Sequence, residues 1–260
     1  MKPQLIQVSD NFWNIRGSFK IGGVIDIGTH ASLVRRDNGK FIFLDSLGFE
    51  GKILQEINEL TNNGKDVEAV LNLHPFHTIH VAEMHKRYPK ALHYGTARHL
   101  EKSPELNWEK LKTEDKELHE LFSSDLEFSI PRGVDFISRD ESLHFSSVLA
   151  FHRTSKTIHV DDTLMYIRLP KLMRLLGMSN PISFHPTLTK VLEHRKGATD
   201  DFHNWAKELA KSWSDAENLC AAHTSYFIGH KKRGISINDR ILKALDKVQN
   251  KLDKHKKLFG

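Results

Sequence analysis

Short apolar runs broken by glycines and turn residues fill the first part of the chain. They predict strands at residues 13–16, 23–27, 30–35 and 40–44, the last two separated by the turn Asp37-Asn38-Gly39. Helical spacing then sets in over 50–62. An apolar run at 67–73 reads as a buried strand, followed by a helix at 82–88 and a strand at 91–94. Residues 100–124 turn charged and read as a surface insertion of helical character. A second β group is expected at 128–130, 135–137, 143–145, 147–152 and 157–160, before helices at 169–177, 188–194 and 199–212 and a last strand at 218–222.

The end of the chain has its own pattern. Ile241, Leu245, Val248 and Leu252 share one helical face, and Lys243, Lys247, Lys251, Lys254 and Lys257 lie mostly around the rest, so an amphipathic helix over 231–260 is expected to dock on the body at 1–230. That helix holds the basic charge. Of the net +5, residues 229–260 supply ten Lys and Arg against three Asp and leave the remainder near −2. Nucleic acid is therefore not an expected partner. A length of 260 residues, with 39% apolar and 27% charged, suits a globular α/β chain. No run reaches the roughly 18 apolar residues of a membrane span, and Met1-Lys2-Pro3-Gln4 opens no signal-peptide core. A cytoplasmic location is expected, with a homodimer among the assemblies admitted.

Candidate chemistry concentrates after the 67–73 strand. His74, His77 and His80 recur every third residue in Leu73-His74-Pro75-Phe76-His77-Thr78-Ile79-His80, and neutral imidazole is the commonest protein metal ligand. Cys220 is the only cysteine, which excludes an intramolecular disulfide and leaves nitrogen and oxygen ligands, narrowing a metal to Zn, Fe, Mn or Ni. Serine-hydrolase elbows, phosphate loops and dinucleotide fingerprints are missing from the sequence. With 17 histidines some clustering is fortuitous: His85, His93, His99, His119 and His255 are read as surface residues.

Two halves, each a β group followed by helices with polar residues at successive strand ends, resemble the metallo-β-lactamase superfamily. The resemblance covers about residues 10–230 and implies an α/β fold, a four-layer αββα sandwich with the site along one edge of its sheets. Its five motifs find candidates in order. Asp45 closes the first strand group and is implied to support the turn around the histidines. Asn72-Leu73-His74-Pro75-Phe76-His77 matches the His-x-His-x-Asp-His turn. His144 matches a strand histidine, Asp162 in Val160-Asp161-Asp162-Thr163-Leu164 the bridging aspartate, and His223 the histidine after the last strand.

The departures bear on activity. Asn72 replaces the motif's first histidine, leaving a weak oxygen donor, and Phe76 replaces its aspartate, so a dinuclear centre is not expected. A shifted alignment on His74, His77 and His80 would put Ile79 at the aspartate position. The resemblance then implies at most one divalent metal, Zn first with Fe or Mn as alternatives, or none. Its ligands would come from His74, His77, His144, Asp162 and His223, with Asp162 also orienting the nucleophile. His80 and His185 are further candidates for the pocket, and His159 is expected on the strand face of Asp161, opposite Asp162. Two functions stand side by side: hydrolysis of a small ester, thioester, lactone or phosphoester, and an inactive fold that binds a ligand or protein without turnover.

Overall fold

Strand pairing in the first part of the chain is antiparallel until the helices begin and parallel afterwards, and this switch places the polar ends of the central strands. The structure, a computed structural model, describes residues 3–22, 25–223, 225–229 and 236–260. It divides into two compact units, one running to Phe128 and including His152–Ser155, the other holding Ser129–Phe151 and Lys156–Gly260.

In the first unit, β1 (Gln4–Ser9), β2 (Phe12–Gly17), β5 (Thr29–Arg35), β6 (Phe41–Leu44), β7 (Val67–Leu71) and β8 (Leu92–Tyr94) form a sheet in the order β1-β2-β5-β6-β7-β8. A small ribbon, β3 (Lys20–Ile21) with β4 (Ile25–Asp26), interrupts it; Gly23 and Val24 of the strand expected at 23–27 lie outside the described residues. β6, β7 and β8 are parallel, connected through α1 (Gly51–Leu60) and α2 (Val81–Arg87). Parallel strands end on the same side, so the register Leu44↔Leu71 brings Asp45 beside the residues that follow β7. All four β6 side chains are buried, as strands covered on both faces require, and the Phe43 ring packs 5.1 Å from Tyr88.

The charged segment forms α3 (Ala97–Lys102) and α4 (Lys116–Leu121); most of it is exposed or half-buried, while Thr113, Leu118 and Phe122 are buried and Phe122 meets Tyr94 edge-on at 5.8 Å. One apolar residue per turn suffices to anchor a short helix whose other faces are charged.

The second sheet runs β15-β14-β11-β10-β9, from β9 (Leu126–Ser129), β10 (Leu149–His152), β11 (Thr157–Val160), β14 (Asn218–Ala221) and β15 (Tyr226–Ile228). β11 and β14 are parallel, β14 and β15 antiparallel. Between them the chain adds a ribbon unforeseen in the sequence, β12 (Leu164–Tyr166) with β13 (Ile182–Phe184), which carries α5 (Lys171–Leu175) at its tip, then α6 (Leu188–Val191) and α7 (Ala198–Ser212). The strands expected at 135–137 and 143–145 do not form. Ser146 Oγ donates to the Asp135 carbonyl and Thr163 Oγ1 to that of Phe145, both at 2.8 Å, so side chains take the place of ladder bonds.

The C-terminal helix, α8 (Ile237–Phe259), docks as its pattern demands: Ile241, Leu245 and Leu252 join Phe202, Trp205 and Leu209 of α7 in one core, with Val248 partly buried against it. Gly133 is obligatory in this unit, since at φ 73° an added Cβ would fall 1.9 Å from the Ala198 carbonyl oxygen. Among the described residues no helix is long and apolar enough to cross a membrane.

Candidate metal centre

Asp45 organises the histidine turn of the first unit. It closes β6 at φ 65°, where Asp is tolerated better than most residues, and its Oδ1 accepts the backbone N–H of Leu73 at 2.8 Å and of His74 at 3.4 Å. The chain leaving β7 is thereby bent so that His74 and His77 stack, ring centroids 4.1 Å apart and 22° from parallel. His74 is fully buried and His77 half-buried. His74 Nδ1 accepts the Phe76 N–H at 3.1 Å, so the neutral ring carries its proton on Nε2.

The Asn72 amide is a clamp between neighbouring strand ends: its Oδ1 accepts the Ser46 hydroxyl at 2.6 Å and its Nδ2 donates to the Tyr94 carbonyl at 3.0 Å. Phe76 is half-buried, with the Arg98 guanidinium 4.6 Å above its ring. Ile79 is 70% exposed, so its side chain faces water. His80 caps α2 and lies 3.4 Å from Glu83.

In the second unit, the parallel register Val160↔Ala221 aligns the ends of β11 and β14, and the residues beyond them meet: His223 Nε2 lies 3.1 Å from Asp162 Oδ1. The Asp162 side chain is 2% exposed and that of His223 15%. Asp161 is also buried, as is His159 on β11. Thr224 lies outside the described residues. His144 sits in the loop before β10, not on a strand as expected, with its Nε2 donating to the Glu141 carbonyl at 2.8 Å. His185 Nδ1 lies 2.7 Å from Thr187 Oγ1, which in turn donates to the His144 carbonyl.

Solved structures share this architecture. A metallo-β-lactamase from Erythrobacter litoralis superposes with a TM-score of 0.59 at 15% identity, covering 95% of this chain and 97% of its own. One from Pontibacter korlensis gives 0.56 at 12%, over 94% and 99%. The enzyme FIM-1 from Pseudomonas aeruginosa in its mono-zinc form gives 0.58 at 10%, over 95% and 96%. The chain has the metallo-β-lactamase fold. No family model and no curated protein matches it in sequence.

Within this metallo-β-lactamase fold, the side chains able to take part in metal binding are His30, His74 and His77 in the first unit and His159, Asp161 and Asp162 in the second. His144 is not among them. His30 was not a candidate from the sequence. It is buried on β5, where Asn14 Nδ2 donates to its Nδ1 at 3.0 Å, and a single histidine in an apolar strand offers no spacing signal. The five histidines read as surface residues are also corrected: His93, His99 and His255 are buried and His85 and His119 half-buried. Burial pushes His99 down to about 3 and His93 to about 4. Each satisfies a ring nitrogen on backbone or a neighbouring hydroxyl, His93 on the Tyr88 carbonyl and His99 on Thr96, which is how an imidazole survives burial in neutral form.

Proposed function

We propose that this chain is a metalloprotein of the hydrolase type, in which His74, His77 and Asp162 hold one divalent cation, Zn before Fe or Mn. The observation that carries the reading is the burial of the Asp162 carboxylate, at 3% exposure. Ionised carboxylates taken out of water cost several kcal/mol each unless cations face them, and a divalent ion among imidazoles supplies that charge (costs of this order are general). Two imidazoles and one carboxylate are the three protein ligands that a catalytic zinc site needs, with a position left for substrate. When bound, the ion supplies Lewis-acid polarisation of an acyl or phosphoryl oxygen and acidifies water.

The residues themselves divide the remaining work. Asp45 fixes the turn that presents His74 and His77, and His223 places its Nε2 3.1 Å from the Asp162 carboxylate. To hold an ion through Nε2, His74 would have to carry its proton on Nδ1, where the Phe76 N–H now donates. Phe76 can neither ligate nor move a proton. The substrate class we assign is a small ester, thioester, lactone or phosphoester. The presence of Phe76 where the fold's aspartate stands also favours a second reading, ligand binding without turnover.

Metal analysis of protein purified without a histidine tag or added metal tests this. About one equivalent, lost in His77→Ala and Asp162→Asn, is expected. Absence of metal in protein that also refuses added Zn²⁺ overturns the assignment, and bound metal without hydrolysis of any of the four substrate types selects the second reading.

A further inference from the structure

The ribbon β12–β13 ends in an arm whose base is tied down and whose tip is apolar and in water. At the base, Tyr166 and Ile182 are buried, Asn180 Nδ2 donates to the Tyr166 hydroxyl at 2.8 Å, Asn180 Oδ1 accepts the Leu169 N–H at 2.9 Å, and Arg240 of α8 donates to the Asn180 carbonyl. At the tip, α5 turns back through Gly177 at φ 82°, with Met178 N–H donating to the Met173 carbonyl at 3.1 Å. The base of the arm is therefore anchored by polar contacts. Yet Leu172, Leu175 and Leu176 are 69%, 73% and 75% exposed and Met178 48%. Scattered exposed leucines are ordinary; four large apolar side chains within seven residues mark a contact surface.

Charge identifies what covers it. Arg168, Lys171 and Arg174 accompany the leucines, all exposed, and among the described residues no carboxylate forms an ion pair with any of them. From Thr163 to Leu192 the sequence contains no Asp or Glu at all. Arg168 also lines a recess with Tyr166, Ser225 and Tyr226. An apolar tip ringed by cations matches the boundary between acyl chains and anionic headgroups, with leucines in the first and arginines at the second. A two-fold contact with a second copy would set the same cations against each other, which disfavours that occupant. We propose that the α5 arm is a membrane-surface contact that seats on anionic lipid, without spanning the bilayer.

Co-sedimentation of the full chain with phosphatidylcholine vesicles, with and without phosphatidylserine, tests this. Binding to the anionic vesicles alone, weakened by salt, is expected. Neutralising the arm in Arg168→Gln/Lys171→Gln/Arg174→Gln should weaken it on the order of a hundredfold, since each cation near such a surface counts for about fivefold. Leu172→Ser/Leu175→Ser/Leu176→Ser should abolish it, with unchanged circular dichroism showing that the fold persists. A Leu175→Trp reporter should be quenched by lipid brominated in its acyl chains. Absence of binding, or binding indifferent to both triple variants, overturns the proposal. So does concentration-dependent dimerisation that the leucine variant abolishes in protein that ignores vesicles, which would make the occupant a second copy.

Discussion

The Arg98 guanidinium lies over the ring of Phe76, 4.6 Å from its centroid. A cation thus stands over the ring of Phe76, which is its face-on partner. A carboxylate at position 76 has two competing outcomes. In Phe76→Asp the new side chain is expected to pair with Arg98 first, so calorimetric titration should show a smaller gain in Zn²⁺ affinity than in Phe76→Asp/Arg98→Gln. Ile79→Asp is the control: an exposed side chain gains nothing, and a gain there would mean that the shifted motif is the right one.

Asp45 should be the costliest polar residue of the turn. Asp45→Ala removes the acceptor of two buried N–H groups and places alanine at positive φ, a combined loss of about 2–4 kcal/mol in urea unfolding. Asp45→Asn keeps an acceptor oxygen and tolerates the backbone, so it should recover most of that stability. Equal losses in the two variants would show that the carboxylate charge matters more than the geometry.

How far the sequence reaches can be judged from these same residues. Asp45, His74 and His77 were legible because a parallel pair collects strand ends, and the turn residues at those ends are polar in an otherwise apolar stretch. Asp162 and His223 were legible for the same reason in the other unit, and their 3.1 Å contact follows from the β11–β14 register. His30 was not, since its meaning depends on which strand it faces rather than on its neighbours in sequence. Nor were the buried states of His93, His99 and His255, because periodicity cannot distinguish an imidazole that finds a backbone carbonyl from one that faces water. The false strand at 143–145 has the opposite origin: local alternation was present, but Thr163 took the Phe145 carbonyl.

Acid should destabilise the chain through its buried histidines. Burial lowers His93 and His152 to about 4, and His152 Nδ1 lies 2.8 Å from Ser155 Oγ. A folded pKa below the unfolded value means stability that is fully present above about pH 6.5 and is lost as pH falls towards about 4. Through that window the unfolded rings take up protons that the folded ones refuse, at a cost approaching about 3 kcal/mol per group. His152→Gln should flatten the decline of the urea midpoint between neutral and mildly acidic pH. A variant with the same slope as wild type would show that His152 is not among the groups responsible.

The C-terminal helix should be indispensable to the second unit. Ile241, Leu245 and Leu252 are 1–2% exposed in a core shared with α7, and Arg240 places its guanidinium 5.3 Å over the Phe227 ring while bonding to Asn180. Leu245→Ala opens a cavity among residues that cannot collapse into it, with an expected loss of about 2–4 kcal/mol. Removal of residues 236–260 uncovers the whole stripe and should leave a second unit without a cooperative thermal transition, whereas substitution of the exposed Lys243 and Lys247 by Gln should alter stability little. A truncated chain that melts cooperatively at the wild-type temperature would show that α8 rests on a core already complete without it.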